Sequence, residues 1–424
     1  DKMKPMTMNL SGIDADFISG SLIIRVEHPD VSDKYVQQFT ITSGELNHIN
    51  NYETVKQSSA DEGSITSDEV WQKLMSKNIN TDGGPVYIDF HTSVTGGTHN
   101  TFAVRILIDG KETTLARQTD SDGTNQKMVS LFDIADLSSG DHKIEIEWKG
   151  YNGDTYIGYD QPNDATWSIY NEASLNLMEL NKGGTSHKIE ETTSSVMSGS
   201  NWTDILSTDY TVESGGILLF KAFLSSNIDE KMSNGWNKTR LLIDGNTVNY
   251  SRSGESNDGY VINALAHVDQ YTQDEQVSVK LQWKEDLGTY RLDGATARLG
   301  VFEFAGAKDF VSKNSSSGSA TGSWGEVSSG SMTHRNNLAY AGSQISADVT
   351  NNNDFFTRLL VNGSEKTRQT TGVSDDGAYD TSYITSLVNN TNDNLSVESQ
   401  WQAEGSTGLV DSKLFMIGLR SRQN

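Results

Sequence analysis

The side chains best suited to binding chemistry lie in one aromatic-rich segment, residues 151–170. This segment holds tyrosine, tryptophan and acidic side chains in close succession: Tyr151, Tyr156, Tyr159, Asp160 and Trp167. Flat rings with a few polar groups among them are typical of ligand sites, and sugars suit the mixture because rings stack on them while carboxylates accept bonds from hydroxyls. We predict a carbohydrate-binding loop here. Packing against a neighbouring module or another copy of the chain is the alternative.

Groupings that would support catalysis are few. The eight histidines are scattered, and the sequence has no HExxH pair, nucleophile elbow or phosphate-binding glycine loop. Glu145 and Glu147 alternate with apolar residues as on the wet face of a strand, and the acids in general are expected at the surface. Glu179 and Glu303 occupy one repeated position, which Gly418 fills in a third copy, so they do not form a shared catalytic site. We predict no enzyme activity and no cofactor.

Two acidic turns raise the question of calcium. Residues 118–125 read QTDSDGTN and residues 372–379 read GVSDDGAY, both rich in the oxygen ligands that Ca²⁺ prefers. Their spacing does not match a full calcium loop, and turn formation alone explains the Asp and Gly residues. The prediction is therefore no metal site, with calcium as the weaker alternative.

Composition limits the possible partners. The 424 residues include no cysteine, carry a formal net charge of −24 and have a pI near 4.6. Such a surface repels phosphate backbones, so nucleic acid is not an expected ligand. No apolar run approaches the length of about 20 residues that spans a bilayer, which predicts no membrane insertion. The sequence starts at Asp1 without a charged and apolar leader, so a secretion signal is either absent or outside this sequence.

A threefold repeat organises most of the chain. The segments Arg105–Gly110, Arg240–Gly245 and Arg358–Gly363 have one pattern, and an aligned Trp follows 43 positions after the Arg in each. The copies also end alike, at Ala173–Leu180, Ala297–Phe304 and Ser412–Leu419. This repetition predicts three modules, at 50–182, 187–305 and 308–424.

The apolar period of the modules is that of strands. Ile144, Ile146 and Trp148 alternate with charged residues, and the other copies keep this phase. The Arg segments end in Asp-Gly or Asn-Gly, the dipeptides of two-residue hairpin turns. A second Asp-Gly pair in each copy predicts another reversal. We predict an all-β chain of three tandem antiparallel β-sandwich, jelly-roll-like modules, each able to fold alone, as for residues 185–306.

Residues 1–49 lie outside the repeat. They hold two strand-like runs, Ser21–Glu27 and Tyr35–Thr42, around a turn rich in Asp and Pro. A lone hairpin is marginal in water, so it needs support from other structure. It is predicted either to complete the sheets of the first module or to act as an arm that docks on other proteins.

Eight tryptophans divide into two groups. Six occupy repeated positions and are predicted to pack in the cores: Trp71, Trp148, Trp202, Trp283, Trp324 and Trp401. Trp167 lies in the aromatic-rich segment, and Trp236 lies in extra residues of the second copy, Met232–Lys238. Trp236 is therefore a second candidate for ligand binding, again with packing as the alternative.

The repeated arginine has two interpretations. Arg105 shares a strand face with Leu107, while Ile106 and Ile108 occupy the other face. The first interpretation is an interface between copies of the chain, formed by Arg105, Leu107, Arg240, Leu242, Arg358 and Leu360. The second is an arginine that lies over its own sheet and pairs with a local carboxylate.

The cycle of VYIDF, RLLIDG, DG, HKIEIEW and SLNLMEL over residues 50–424 resembles jelly-roll modules that occur in tandem in fibre, knob and decoration proteins of tailed viruses. These modules are similar in outline to the complement globular-head and tumour-necrosis-factor folds. The resemblance implies a non-enzymatic protein of the virion surface, often trimeric, that decorates a capsid or tail and contacts the host envelope. Docking on other virion proteins would fall to residues 1–49.

An alternative fits the same composition. A secreted or cell-surface bacterial adhesin, or a carbohydrate-binding protein, is also built from tandem sandwich modules without cysteine. A glycosidase is a third option with less support, because no carboxylate pair stands out. The expected location is thus the virion surface, or else the extracellular space or bacterial surface.

Overall fold

The structure is a computed structural model of the chain. It describes residues 20–26, 35–41, 47–58, 63–65, 70–96, 100–120, 127–151, 155–157, 172–183, 185–195, 200–229, 235–255, 259–287, 289–320, 322–333, 337–349, 354–372, 378–389, 394–403 and 407–421. Within these ranges the regular structure is β-strand throughout, and every pairing between named strands is antiparallel. The all-β prediction is confirmed.

The N-terminal strands form a sheet of their own. They are β1 (Gly20–Val26) and β2 (Tyr35–Ile41), paired from Gly20↔Ile41 to Val26↔Tyr35. This two-stranded sheet has no hydrogen-bonded neighbour among the described strands. Among the described residues the hairpin therefore extends no module sheet, and its role as a docking arm stays a prediction.

The remaining strands divide among the three modules. Module 1 contains β3 (Ile49–Ser58), β4 (Gly63–Ile65), β5 (Gln72–Asp82), β6 (Pro85–Gly96), β7 (Asn100–Ile108), β8 (Lys111–Asp120), β9 (Lys127–Asp136), β10 (Ser139–Tyr151), β11 (Thr155–Ile157) and β12 (Glu172–Leu180). Module 2 contains β13 (Thr185–Ser195), β14 (Thr203–Thr211), β15 (Gly216–Asp229), β16 (Gly235–Ile243), β17 (Asn246–Glu255), β18 (Gly259–Tyr271), β19 (Gln276–Leu287) and β20 (Thr289–Ala305). Module 3 contains β21 (Phe310–Ser315), β22 (Ser319–Ala320), β23 (Gly325–Thr333), β24 (Leu338–Val349), β25 (Asp354–Val361), β26 (Ser364–Gly372), β27 (Ala378–Asn389), β28 (Asn394–Ala403) and β29 (Thr407–Leu419).

Each module has the strand order of an eight-stranded jelly roll. One sheet, here called the inner sheet, runs β3-β12-β6-β9, β13-β20-β15-β18 or β21-β29-β24-β27. The other, the outer sheet, runs β5-β10-β7-β8, β14-β19-β16-β17 or β23-β28-β25-β26. Successive strands thus cross between two packed sheets, as in a double Greek key.

The repeated Asp-Gly and Asn-Gly dipeptides form the predicted hairpin turns. Asp109 and Gly110 have φ of 50° and 81°, and the two later turns have nearly the same values. Positive φ at both central residues defines the type I′ turn, whose twist matches that of the strands. The Asp109 carboxylate also accepts a hydrogen bond from the Lys143 amide at 2.9 Å, which ties the turn to a third strand. The side chains of Asp244 and Asn362 accept the same hydrogen bond, from the amides of Ser278 and Ser396 respectively.

The inner sheets of the three modules pack against one another. A single buried apolar cluster extends over all three modules, whereas modules 2 and 3 also have cores of their own. Its aromatic rings meet across modules: Tyr87 lies 4.9 Å from Phe302 and 6.0 Å from Tyr340, and Phe132 lies 5.7 Å from Phe223, between ring centroids. The apolar pattern therefore does not close within each module, contrary to the reasoning that predicted an independent fragment 185–306.

The same contact recurs at each junction between modules, which we call a seam. At the first seam, modules 1 and 2, Ser225 bonds both the amide and the carbonyl of Arg117. At the second, modules 2 and 3, Ser346 bonds Arg252 likewise. The third seam, modules 3 and 1, closes the ring: the hydroxyl of Ser93 accepts from the Thr370 amide and donates to its carbonyl. The repetition describes a pseudo-threefold axis inside one chain.

Both ends of the ring meet at one end of the molecule, here called the base. The amides of His48 and Ile49 donate to the Arg420 carbonyl at 2.9 and 3.0 Å, and Ile49 forms a bridge with Ser421. The His48 ring also bonds the Ala305 carbonyl at the end of module 2. The described parts of the links between modules, residues 181–183 and 306–310, lie at the same end, because they follow Leu180 and Ala305.

Candidate functional site

The structure describes only part of the predicted sugar-binding segment. Tyr151 ends β10, and its ring lies 4.5 Å from the Lys149 ammonium. Tyr156 lies in β11 and is described by its backbone alone. Tyr159, Asp160 and Trp167 lie outside the described residues. The sugar-binding assignment therefore stays a prediction.

The flanking strands locate this segment in the fold. β11 pairs with Val94–Gly96 of β6, at the end of the inner sheet farthest from the base. The corresponding stretches of modules 2 and 3 belong to the unbroken strands β20 and β29. In module 1 the residues between β11 and β12, 158–171, lie outside the described residues, at a place where the other copies have one continuous strand.

Trp236 is described by its backbone alone. It lies in β16, paired with Gly254 of β17 and Leu287 of β19. It is a strand residue, whereas the sequence predicted a loop. Its role in ligand binding stays a prediction.

Three of the six repeated tryptophans lie on the outer sheets rather than in the cores. Trp148, Trp283 and Trp401 are buried as predicted. Trp71, Trp202 and Trp324 are instead only half-buried, and a guanidinium stacks on each ring: Arg105 at 4.1 Å, Arg240 at 4.1 Å and Arg358 at 4.2 Å from the ring centroid. The core prediction was wrong for this second set because a ring stacked under a cation tolerates partial hydration.

Each stacked arginine is also held by a side chain on the adjacent strand. Arg105 donates through Nε to Glu147 at 3.0 Å and forms ion pairs with Glu147 and Glu112. In modules 2 and 3 the acceptor is a glutamine: Arg240 donates to Gln282 and Arg358 to Gln400, both at 2.8 Å. These local partners are those of an arginine lying over its own sheet. We call the repeated Trp and Arg pair the outer clamp.

The leucines of the predicted interface are already buried within the chain. Leu107, Leu242 and Leu360 are 6%, 6% and 9% exposed. They offer little apolar area to a second copy, because burial on association requires surface that the monomer leaves open. The interface between copies remains a prediction.

A charged pair lies where the three inner sheets meet. The ammonium of Lys221 in module 2 contacts Oδ1 of Asp89 in module 1, and both side chains are almost completely buried. Oδ2 of Asp89 accepts hydrogen bonds from two side chains of module 3, the hydroxyl of Tyr340 at 2.6 Å and that of Thr385 at 2.5 Å. One carboxylate therefore bonds side chains of both other modules.

Aromatic rings enclose the Lys221 ammonium. The rings of Tyr383, Phe132 and Tyr87 lie 4.8, 5.3 and 5.6 Å from it. Their negative faces attract the cation and partly replace its lost hydration. The pair and its rings are named the axial cluster.

Burial dominates the electrostatics of the axial cluster. It lowers the pKa of Lys221 and lowers that of neighbouring His91 to about 3, so His91 is neutral. Burial also opposes ionisation of Asp89, but Lys221 and the hydroxyl donors outweigh this effect and hold the pKa of Asp89 below its ordinary value. Burial and the charge of Asp89 raise the pKa of Tyr340. The cluster is thus an ion pair among neutral groups.

Two glutamates expected at the surface are instead buried and support turns. Glu179 accepts hydrogen bonds from the amides of Asp82 and Gly84 at 2.7 and 3.1 Å. Glu303 accepts from the amides of Glu213 and Ser214 at 2.9 and 2.8 Å. A carboxylate that satisfies two buried amides has a structural role, since those donors would otherwise lose their partners.

The signal that would have revealed the axial cluster is a charge within an apolar strand. Asp89 lies in Val86–Phe90 and Lys221 in Leu218–Phe223, runs that carry apolar residues on both faces. Apolar residues on both faces indicate a strand covered on both sides. A charge in such a strand must find a partner from another element, because burying it alone is costly.

Metal and membrane features are limited to a few observations. The described residues contain no group of three His, Asp or Glu placed to hold a metal ion. The central residues of the two acidic turns, 121–126 and 373–377, lie outside the described residues, so the calcium alternative stays open. Among the described ranges, no helix is long and apolar enough to cross a membrane.

Comparison with known proteins gives fold likenesses only. No family model and no curated protein matches the sequence. Tandem CBM51 modules of Sp3GH98, a family 98 glycoside hydrolase from Streptococcus pneumoniae, are 12% identical over 57% of this chain and 84% of theirs, with a TM-score of 0.18. The triple jelly roll of an archaeal virus turret is 10% identical over 95% and 91%, with a TM-score of 0.17. The VP2 subviral particle of infectious bursal disease virus is 8% identical over 88% and 82%, with a TM-score of 0.19.

With TM-scores this low, the likenesses carry no argument about function. They are compatible, at a coarse level, with a jelly-roll capsid protein and with a carbohydrate-binding tandem alike. The finer likeness to tumour-necrosis-factor and complement heads stays a prediction.

Proposed function

We propose that this chain is a non-enzymatic structural protein of a virion surface. In this proposal one copy of the chain forms a closed tower of three jelly rolls. The observation that carries the proposal is the ring of inner sheets, which buries its apolar faces without a second chain. Jelly rolls that meet around a threefold axis are a common way to build a rigid projection, and here one polypeptide supplies all three.

The polarity of the tower supports attachment at one end. The chain enters module 1 at the base, through residue 47, and the β1–β2 hairpin precedes that point. A hairpin that pairs with no module sheet is suited to add to a partner, since a two-stranded sheet gains stability when it packs on further structure. We assign residues 1–49 to docking on other virion proteins.

The opposite end faces away from the base and would meet the host. Strands β8 and β10 and the distal part of β6 end there in module 1, where β11 pairs with β6. The net charge of −24 disfavours binding to phosphate-rich surfaces. A neutral or hydroxyl-rich glycan is therefore the ligand class we propose for the distal end.

The location is tested with antibodies against the protein. Immunogold electron microscopy of purified particles from the source culture is expected to label the particle surface. The full chain is expected to rebind to particles from which the protein has been removed. A chain that starts at residue 47 is expected to show no detectable rebinding. Label on cell walls or in the secreted fraction, with none on particles, would support the adhesin alternative instead.

The glycan contact is tested by replacing two rings of the aromatic-rich segment. The double variant Tyr159→Ala and Trp167→Ala is expected to lose binding to host cells or isolated envelope glycans, because stacking aromatics supply most of such binding energy. Trp236→Ala, made in parallel, tests the second candidate in module 2. Normal binding by the double variant would move the site to Trp236, and loss of the fold would assign the rings to packing.

A further inference from the structure

The three positions that meet at the pseudo-threefold axis carry unlike residues. Tyr87, Leu219 and Tyr340 are aligned through their pairing with Met178, Phe302 and Ile417 in the last strand of each module. Two residues later stand an acid, a base and a glycine: Asp89, Lys221 and Gly342. In a homotrimer these three positions would be one residue.

At the third position, Gly342 carries no charge and has no room for a side chain. A side chain on Gly342 would collide with the ring of Phe415, which fills the space beside the axis. Module 3 instead contributes hydroxyl donors, Tyr340 and Thr385, which bond the carboxylate of Asp89. Each module thus brings a different chemistry to the axis: an acceptor, a cation, or neutral donors.

A second set of aligned positions differs from seam to seam. At the first seam the guanidinium of Arg298 contacts Asp133 and also donates to the carbonyls of Phe132 and Thr113. Arg298 aligns with Lys413 and Ser174, and Asp133 aligns with His267 and Ser386. The first seam is therefore an ion pair, and the third has serine at both positions.

The second seam differs from both. Lys413 is buried there, and burial lowers its pKa to about 8 against the opposing effect of Asp411 and Asp269. The Asp269 carboxylate belongs to module 2, and it contacts the ring of His267 at 3.9 Å. The three seams thus carry an ion pair, a lysine near a histidine and an aspartate, and a pair of serines. These combinations are not interchangeable.

Rings with repeated modules would be penalised strongly. Three copies of module 1 would gather three Asp89 carboxylates at a dry axis, and three copies of module 2 would gather three Lys221 ammonium groups. A buried charge without its counter-ion costs several kcal/mol, because neither water nor a partner compensates its desolvation. The correct ring pairs every one of these charges.

We propose that the axial cluster and the unlike seams specify a ring with one copy of each module in fixed order, and so exclude surplus modules of a second copy of this chain. A sheet face that is apolar in all three modules would otherwise accept any of the three. Buried polar groups that fix register and partner at a cost in stability are known from coiled coils, and the same logic applies here.

The test is refolding of the full chain over a range of concentrations. Wild-type protein is expected to return to the mass of never-unfolded protein, measured by light scattering after size exclusion. The double variant Asp89→Asn and Lys221→Met removes both charges but keeps the shape and an acceptor for Tyr340 and Thr385. It is expected to show roughly tenfold more oversized species on refolding at high concentration, since its ring no longer discriminates by charge.

Leu299→Met is the matched control, because Leu299 lies in the core of module 2 away from the axis. It is expected to refold like wild type. A double variant that refolds as cleanly as wild type would overturn the proposal. Wild-type refolding alone is a second test if the double variant does not fold: oversized species that grow with wild-type concentration would also overturn it.

Discussion

Tryptophans with the same repeat spacing have two different roles. Trp283 fills the core of module 2, whereas Trp202 stacks under Arg240 on the outer sheet with a second cation, Lys284, 5.2 Å away. The spacing of the repeat could be read from the sequence, but the depth of each ring could not. Periodicity places a residue on a face, and only the neighbouring strands determine whether that face is covered.

The two kinds of tryptophan are expected to differ in their contribution to stability. Trp283→Ala is expected to lower the free energy of unfolding by about 3–5 kcal/mol, because it leaves a large cavity. Trp202→Ala loses only a cation–π contact and some packing, about 1 kcal/mol. Urea titration of both variants measures the difference, and equal losses would show that Trp202 is a core residue after all.

Asp411 is expected to make stability depend on pH. Burial raises its pKa to about 6, against the opposing bonds from the Tyr250 and Ser412 amides. The folded state therefore holds this proton more tightly than the unfolded state, whose pKa is near 3.8. The contribution of Asp411 to stability is fully present below pH 3.8 and falls as the pH rises to about 6.

The variant Asp411→Asn does not titrate. Its stability relative to wild type is expected to rise between pH 4 and 6 and then level off, at a gain on the order of 1–3 kcal/mol. Thermal melts across this range measure the gain. Asp309→Asn is a control, since Asp309 lies near the base of the same module, whereas Asp411 lies in the distal part of β29. A difference that does not change with pH would exclude Asp411 as the cause.

At the level of elements, hairpins could be predicted and sheet coverage could not. Asp-Gly and Asn-Gly specify positive φ locally, so the three turns follow from the dipeptides themselves. Coverage of β15 depends on side chains of two other modules that are far away in sequence, since Lys221 contacts Asp89 of module 1 and the ring of Tyr383 in module 3. One of the two interpretations of the Arg strand requires cover on both of its faces, whereas the structure covers both faces of inner strands such as β15.

The interface on the outer sheet is tested by Leu242→Asp. If copies of the chain associate through this face, the variant is expected to have a lower mass in light scattering while its circular dichroism stays that of β structure. The side chain is only 6% exposed, so some loss of stability is expected in either case. An unchanged mass in a folded variant would leave Arg240 with its local role only.

At the level of the whole molecule, the modules repeat in sequence but share part of their buried core. Module 2 has its own buried core, yet Leu219, Phe223 and Phe302 pack in the cluster shared with the other modules. The repeat could be read directly from spacing. The ring could not, because its seams join residues far apart in the sequence, such as the Ser225 hydroxyl and the Arg117 backbone.

The fragment 185–306 is expected to show β signal but to self-associate, because its inner face is left uncovered. A fragment in which Leu219, Phe223 and Phe302 are replaced by Thr, Gln and Gln is the matched comparison. It is expected to be monomeric and to melt cooperatively. A wild-type fragment that is monomeric at micromolar concentration would show that the shared cluster contributes little.

The contact of His48 and Ile49 with Arg420 and Ser421 makes the ring continuous in space although the chain is open there. Three junctions therefore lie at the base, and two of them are covalent. A circular permutant that opens the chain at the exposed turn after Lys182 and joins residue 421 to residue 47 through a short linker would keep every seam. Such a permutant would change the order of the modules along the sequence and keep their order around the axis.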